Sequence, residues 1–130
     1  MENWGVLDID GNVRFAPVYD CGSSLAALIS DEKMASLLLD DSSFKNTEFN
    51  LTSCYYLYGK RIFYHEIFAN PPDGLNKALQ RVLPKIDMVK ISDIVDSTPM
   101  ISETRKKYLK KGIKMRYNQI LLPAYQLMCE

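Results

Sequence analysis

Val6-Leu7-Asp8-Ile9-Asp10-Gly11-Asn12-Val13-Arg14-Phe15 decides the reading of this chain, because it is the clearest strand, turn and strand pattern in the sequence. Apolar and polar residues alternate on either side of a turn signal, Asp10-Gly11-Asn12, as expected for a β-hairpin. A three-residue loop over those positions would pair Ile9 with Val13 and Leu7 with Phe15, stacking apolar side chains across one face. Pro17 has no N–H to donate, so the ladder should stop there.

Outward from the hairpin the pattern turns helical. Ser30 is placed to cap a short helix with Asp31 and Glu32 in its first turn and Met34, Leu37 and Leu38 as its apolar side. Residues 40 to 50 are polar and show no period, so no element is expected there. Tyr55 to Phe63, around Gly59-Lys60, reads as a second small hairpin. Asp73 can cap a helix whose stripe is Leu75, Ala78, Leu79 and Val82, with Pro84 closing it, and Ile91, Ile94 and Val95 mark another that ends at Thr98-Pro99. Ser102 then caps the longest helix, with Glu103 in its first turn and a stripe through Leu109, Ile113, Tyr117, Ile120 and Leu121, until Pro123 kinks or ends it. The expected fold class is mainly α with a small N-terminal β-hairpin (α+β), one domain over 1–130: hairpin and loop at 1–25, helical bundle at 26–130.

The 130 residues carry 16 Lys and Arg against 16 Asp and Glu, a balance that does not favour nucleic acid or an anionic membrane as partner. Cys21, Cys54 and Cys129 are odd in number and lack metal-type spacing, which fits free thiols in a reducing, cytoplasmic setting. Met1-Glu2-Asn3-Trp4-Gly5 is no secretion signal, and the apolar runs are too short to span a bilayer. Because the strand pattern starts with so little lead-in, the N-terminus reads as a cut edge.

With the three-residue loop, Asn3 lies opposite Tyr19 and beside Asp20. An amide oxygen and a carboxylate so placed form a hard-oxygen pair suited to Mg²⁺ held against nucleotide phosphates. Protein kinases hold their metal ions with such a pair, a catalytic-loop Asn and a later Asp.

Asn3-Trp4-Gly5, the hairpin, and Ala16-Pro17-Val18-Tyr19-Asp20-Cys21-Gly22-Ser23-Ser24-Leu25 resemble the HipA-type Ser/Thr kinases. The resemblance implies that Asn3 and Asp20 bind Mg²⁺ and, through it, ATP. It assigns no role to Ser23 or Ser24. It also implies that the following helices, Leu83-Pro84-Lys85-Ile86-Asp87 among them, form part of the C-terminal lobe of a kinase-like fold whose N-lobe is missing. The base Asp that kinases carry five positions before that Asn would precede residue 1, and no Gly-rich phosphate loop with a strand Lys follows, so the catalytic set is incomplete and this stretch alone is expected to be inactive. Two readings stand. The chain is a C-terminal kinase part that works with an N-terminal kinase half, transferring the ATP γ-phosphate to a protein substrate, in a toxin–antitoxin setting with a DNA-binding antitoxin as a further partner. Alternatively it is a non-catalytic protein-interaction domain on a degenerate kinase-like fold.

Other features read as structural. His65 and Glu66 are sequence neighbours and so face different ways, with no third group to orient the imidazole. Cys21 has no neighbour in sequence to lower its pKa. The basic run Arg105-Lys106-Lys107, Lys110-Lys111, Lys114 and Arg116 fits the solvated side of an amphipathic helix better than a nucleic-acid surface. Tyr55, Tyr56, Tyr58, Phe63, Tyr64 and Phe68 are expected in the core, or on a surface that a further lobe covers.

Overall fold

The computed structural model describes residues 5–17, 19, 25–69 and 73–129. Strands β1 (Val6–Ile9) and β2 (Asn12–Phe15) form the expected antiparallel hairpin. Its register differs from the expected one by a residue: Ile9 faces Asn12, Asp8 faces Val13, Leu7 faces Arg14 and Val6 faces Phe15. The loop is therefore Asp10-Gly11 alone. Both residues take left-handed backbone, with φ of 54° and 78°, the pair required by a two-residue turn whose twist matches its strands. Asp8 Oδ1 accepts from the Gly11 N–H at 2.9 Å and holds that turn. Its apolar side chains stay exposed, Val13 and Phe15 most of all.

Helix α1 (Asp31–Leu38) starts where expected, with Ser30 accepting from the Lys33 N–H. Helix α2 (Asp41–Glu48) replaces the irregular stretch expected over residues 40 to 50. Asp40 initiates it by accepting from the N–H groups of Ser42 and Ser43 at 2.9 and 3.2 Å and from the Ser43 hydroxyl at 2.6 Å. Of its residues only Phe44 and Glu48 are buried, too few to write a hydrophobic period into the sequence.

The second hairpin joins β3 (Thr52–Leu57) to β4 (Lys60–Phe63) through Tyr58-Gly59, again at positive φ, 49° and 76°. Its register breaks between Thr52 and Tyr56. Ser53 fills the break: its buried hydroxyl donates to the Ile62 carbonyl at 2.8 Å and accepts from the Tyr55 N–H at 3.1 Å. The aromatic residues expected in the core are instead displayed, since Tyr55, Tyr56, Tyr58, Phe63 and Tyr64 are all exposed and only Phe68 packs inward. A two-stranded ribbon has no opposing layer to bury them.

Helices α3 (Asp73–Val82), α4 (Met88–Ser97) and α5 (Glu103–Arg116) follow the expected order, α4 capped by Asp87 and α5 by Ser102. On α3 the burial falls on Leu79 and on the following Leu83, while Val82 is exposed. The final helix does not stop at Pro123. A π turn, Tyr117–Leu121, leads into α6 (Leu122–Leu127), and the Leu122 N–H reaches back to the Tyr117 carbonyl. A wider turn just before a residue that lacks an N–H lets the helix continue.

Packing is divided between two clusters. Met34, Leu37, Phe44 and Tyr108 join α1, α2 and α5, whereas Leu79, Leu83 and Ala124 join α3 to α6. Among the described residues no helix is long and apolar enough to cross a membrane.

The basic run of α5 is not simply a solvated face. Arg105 pairs with Asp31 at 2.9 Å, Lys110 with Asp96 at 2.7 Å and Lys111 with Asp41 at 2.5 Å, tying α5 to α1, α4 and α2 in turn. The Ser102 hydroxyl first, and the Arg105 guanidinium after it, hold the Asp31 carboxyl below its ordinary 3.8, and Lys110 does the same to Asp96. A carboxylate with a depressed folded pKa contributes stability that is whole above its unfolded pKa and is lost as pH falls through the folded value. The melting temperature is therefore expected to hold down to about pH 5 and to fall below it. A scan of thermal unfolding against pH should show a shallower acid limb in Asp31→Asn/Asp96→Asn; an unchanged limb would contradict this account.

Candidate functional site

Asn3 and Asp20, the two metal-ligand candidates, lie outside the described residues, as do Cys21, Ser23 and Ser24. What is described is their frame. The β1–β2 ladder is extended by the Ala16 N–H donating to the Gly5 carbonyl at 2.9 Å. A Cβ at Gly5 would meet the Tyr19 hydroxyl at 3.6 Å and the Ala16 methyl at 3.7 Å, so Tyr19 folds back over the start of the hairpin. The opposition of Asn3 and Tyr19 rested on the three-residue loop and does not follow from the observed register.

Across residues 20–24 the chain resumes at Leu25 and Ala26, both in left-handed backbone, with φ of 54° and 60°. Two consecutive non-glycine residues in that region are costly and persist only where packing imposes them. Here they meet α5 and the end of α2, where Leu25 and Ala26 share a small enclosure with Tyr108, Gly112, Arg116 and Glu48.

Glu48 is the one acidic side chain buried among the described residues, at 5% exposure. Its Oε1 accepts from the Tyr108 hydroxyl at 2.6 Å, and its Oε2 from Arg116 Nη2. The carboxylate lies against α5 at Gly112, where a Cβ would stand in van der Waals contact, 3.4 Å from Glu48 Oε2. Burial, and then the neighbouring carboxylate, push the Tyr108 hydroxyl far above its ordinary 10, so it stays a donor. The space beside this trio is only about 10 Å³, room for a water at most. The trio is a buried polar tie rather than a reaction centre. Sequence reasoning overlooked Glu48; the available signal was the Asp40 cap followed by Phe44 and Glu48 at helical spacing.

His65 is structural, as expected. Its ring stacks between Phe49 and Phe63, centroids 4.6 and 5.5 Å away, and Nδ1 lies 3.3 Å from the Phe49 carbonyl. Glu66 is turned to the Phe63 N–H at 2.7 Å and does not orient the imidazole. Cys129 is a free, exposed thiol. Among the described residues no group of three or more His, Cys, Asp or Glu could hold a metal ion.

No family model matches the chain. Among curated proteins it is similar to the serine/threonine-protein kinase CtkA of Helicobacter pylori, 32% identical over 129 residues, 95% of this chain and 39% of that protein. Among solved structures, the crystal structure of a Helicobacter pylori proinflammatory kinase CtkA matches with a TM-score of 0.88 and 29% identity, covering 98% of this chain and 46% of that one. The chain thus spans less than half the length of the kinase it resembles. Its mainly helical fold with two small hairpins is a part of that larger fold.

Proposed function

We propose that this chain is the C-terminal-lobe part of a HipA-like Ser/Thr protein kinase, in which Asn3 and Asp20 hold Mg²⁺ against the phosphates of ATP. The observation that carries the reading is the match to a serine/threonine kinase along nearly the whole chain, in sequence and in fold. The donor set fits the metal: an amide oxygen and a carboxylate are the hard ligands Mg²⁺ takes while keeping phosphate and water oxygens in its remaining positions. Of the described neighbours, Gly5, two residues after Asn3, and Tyr19, one before Asp20, lie near each other, since a Cβ at Gly5 would stand 3.6 Å from the Tyr19 hydroxyl. Bound Mg²⁺ would bridge and neutralise the phosphate oxygens during transfer to a protein hydroxyl.

Positioning and charge stabilisation supply nearly all of the rate in phosphoryl transfer. A base Asp five positions before Asn3, and a phosphate loop with its strand Lys, are not among these 130 residues. Activity therefore requires an N-terminal kinase half, and the exposed apolar side chains of β1 and β2 are where it would rest. A protein substrate and a DNA-binding antitoxin are the further partners of this reading, in the cytoplasm. A non-catalytic interaction domain is the second reading, favoured by the displayed aromatic residues of β3 and β4. The ion pairs made by α5 argue against that helix as a nucleic-acid surface.

Calorimetric titration of Mg²⁺ and ATP into the chain, alone and with the N-terminal half, tests the proposal. Saturable binding is expected in the joined protein, weakened about tenfold or more in Asp20→Asn. No binding in either condition would leave the interaction domain as the better account.

A further inference from the structure

Residues of α4 and α5 line a groove of about 550 Å³, a volume in the range of binding clefts. Its floor is apolar, from Met88, Val89 and Ile91 on one wall to Ile113 on the other. Val89 stands 72% exposed at the rim. Lys110 and Asp96 clamp the two helices together through two hydrogen bonds of 2.7 and 2.9 Å, and the first residues of the π turn, Tyr117 and Asn118, line the groove as well. Single π turns often mark functional positions in helices.

Charge distinguishes the two walls. Arg105, Lys106, Lys110, Lys111 and Arg116 each have a carboxylate partner. Lys107 and Lys114 have none among the described residues, and of these two Lys114 lines the α5 wall. Asp93, also without a cationic partner there, lines the α4 wall. An occupant that buries an apolar stripe between two helices while meeting a cation on one side and an anion on the other has the outline of an amphipathic helix with one acidic and one basic edge.

We infer that this groove docks an amphipathic helical segment of a partner protein, its apolar stripe on Val89, Ile91 and Ile113, its acidic edge on Lys114 and its basic edge on Asp93. The inference does not depend on the proposed Mg²⁺ ligands. A labelled synthetic helix with a leucine stripe, glutamates along one edge and lysines along the other is the probe, followed by fluorescence anisotropy with the full chain. Saturable binding is expected, weakened about tenfold by Lys114→Glu and likewise by Val89→Asp. Both positions are exposed, so an unchanged melting temperature shows that each variant folds. A second peptide with lysines on both edges should prefer the Lys114→Glu chain to the parent. Absence of saturable binding, or binding that neither variant alters, overturns the inference. So does self-association of the chain that Val89→Asp abolishes, which would make the groove an interface between copies.

Discussion

Glu48→Ala is expected to lower the stability of the fold by about 3 kcal/mol, the order found when one partner of a buried ion pair is removed. Alanine leaves the Tyr108 hydroxyl and the Arg116 guanidinium, both aimed at Glu48, without their protein acceptor. Arg116 is partly exposed and can turn some of its charge to water, which keeps the estimate at the low end. The end of α2 would also lose its attachment to α5. Chemical denaturation should report the loss as an earlier midpoint with an unchanged slope. Glu48→Gln is the informative companion: it still accepts from Tyr108 but cannot neutralise Arg116, and should fall between the parent and Glu48→Ala. Equal stability of all three proteins would mean that the trio contributes nothing to folding.

Phe44→Ala should cost about 4 kcal/mol, the usual range for emptying an aromatic site in a core. Phe44 is 1% exposed and meets the Tyr108 ring edge-on, centroids 4.9 Å apart at 60°. Lys111 Nζ lies 4.4 Å from the centre of the Phe44 ring, an attraction that alanine also removes. Phe44→Leu keeps most of the volume and should lose less than half as much. A double-mutant cycle with Tyr108→Leu is expected to show coupling of about 1 kcal/mol between the two rings. A cycle that closes at zero would assign the whole cost to the cavity.

These two residues also mark where the sequence was hard to read. Turn chemistry and caps were legible: Asp10-Gly11, Ser30 and Ser102 act locally, through their own side chains and backbone. The hairpin register was off by one because Asn12 shares the turn-forming character of its neighbours, and only the backbone angles of Asp10 and Gly11 decide which residues stay outside the ladder. Helix α2 was missed because it is held by one aromatic ring and one acid, whose α5 partners Tyr108 and Arg116 stand 60 or more positions away. A similar distance hid the pairing of Arg105 with Asp31 and of Lys111 with Asp41. Leu109 and Ile113 set the expected stripe, yet Tyr108 and Gly112 are the residues that face the core. The exposed tyrosines of β3 and β4 were misplaced because apolar composition announces burial without saying against what. Of the candidate site, Asn3 and Asp20 lie outside the described residues, so their reading rests on residue types and the family resemblance.

The π turn sets the phase of the last helix. Each residue of a regular helix advances the face by about 100°, and the wider turn at Tyr117–Leu121 accommodates an extra residue between a segment that serves one cluster and a segment that serves the other. Removing one residue from that turn would rotate Leu122–Leu127 by about 100° and point Ala124 away from Leu79 and Leu83. The two halves of the core are thus geared through this turn, and changes of length there act on packing as a loop insertion elsewhere would not.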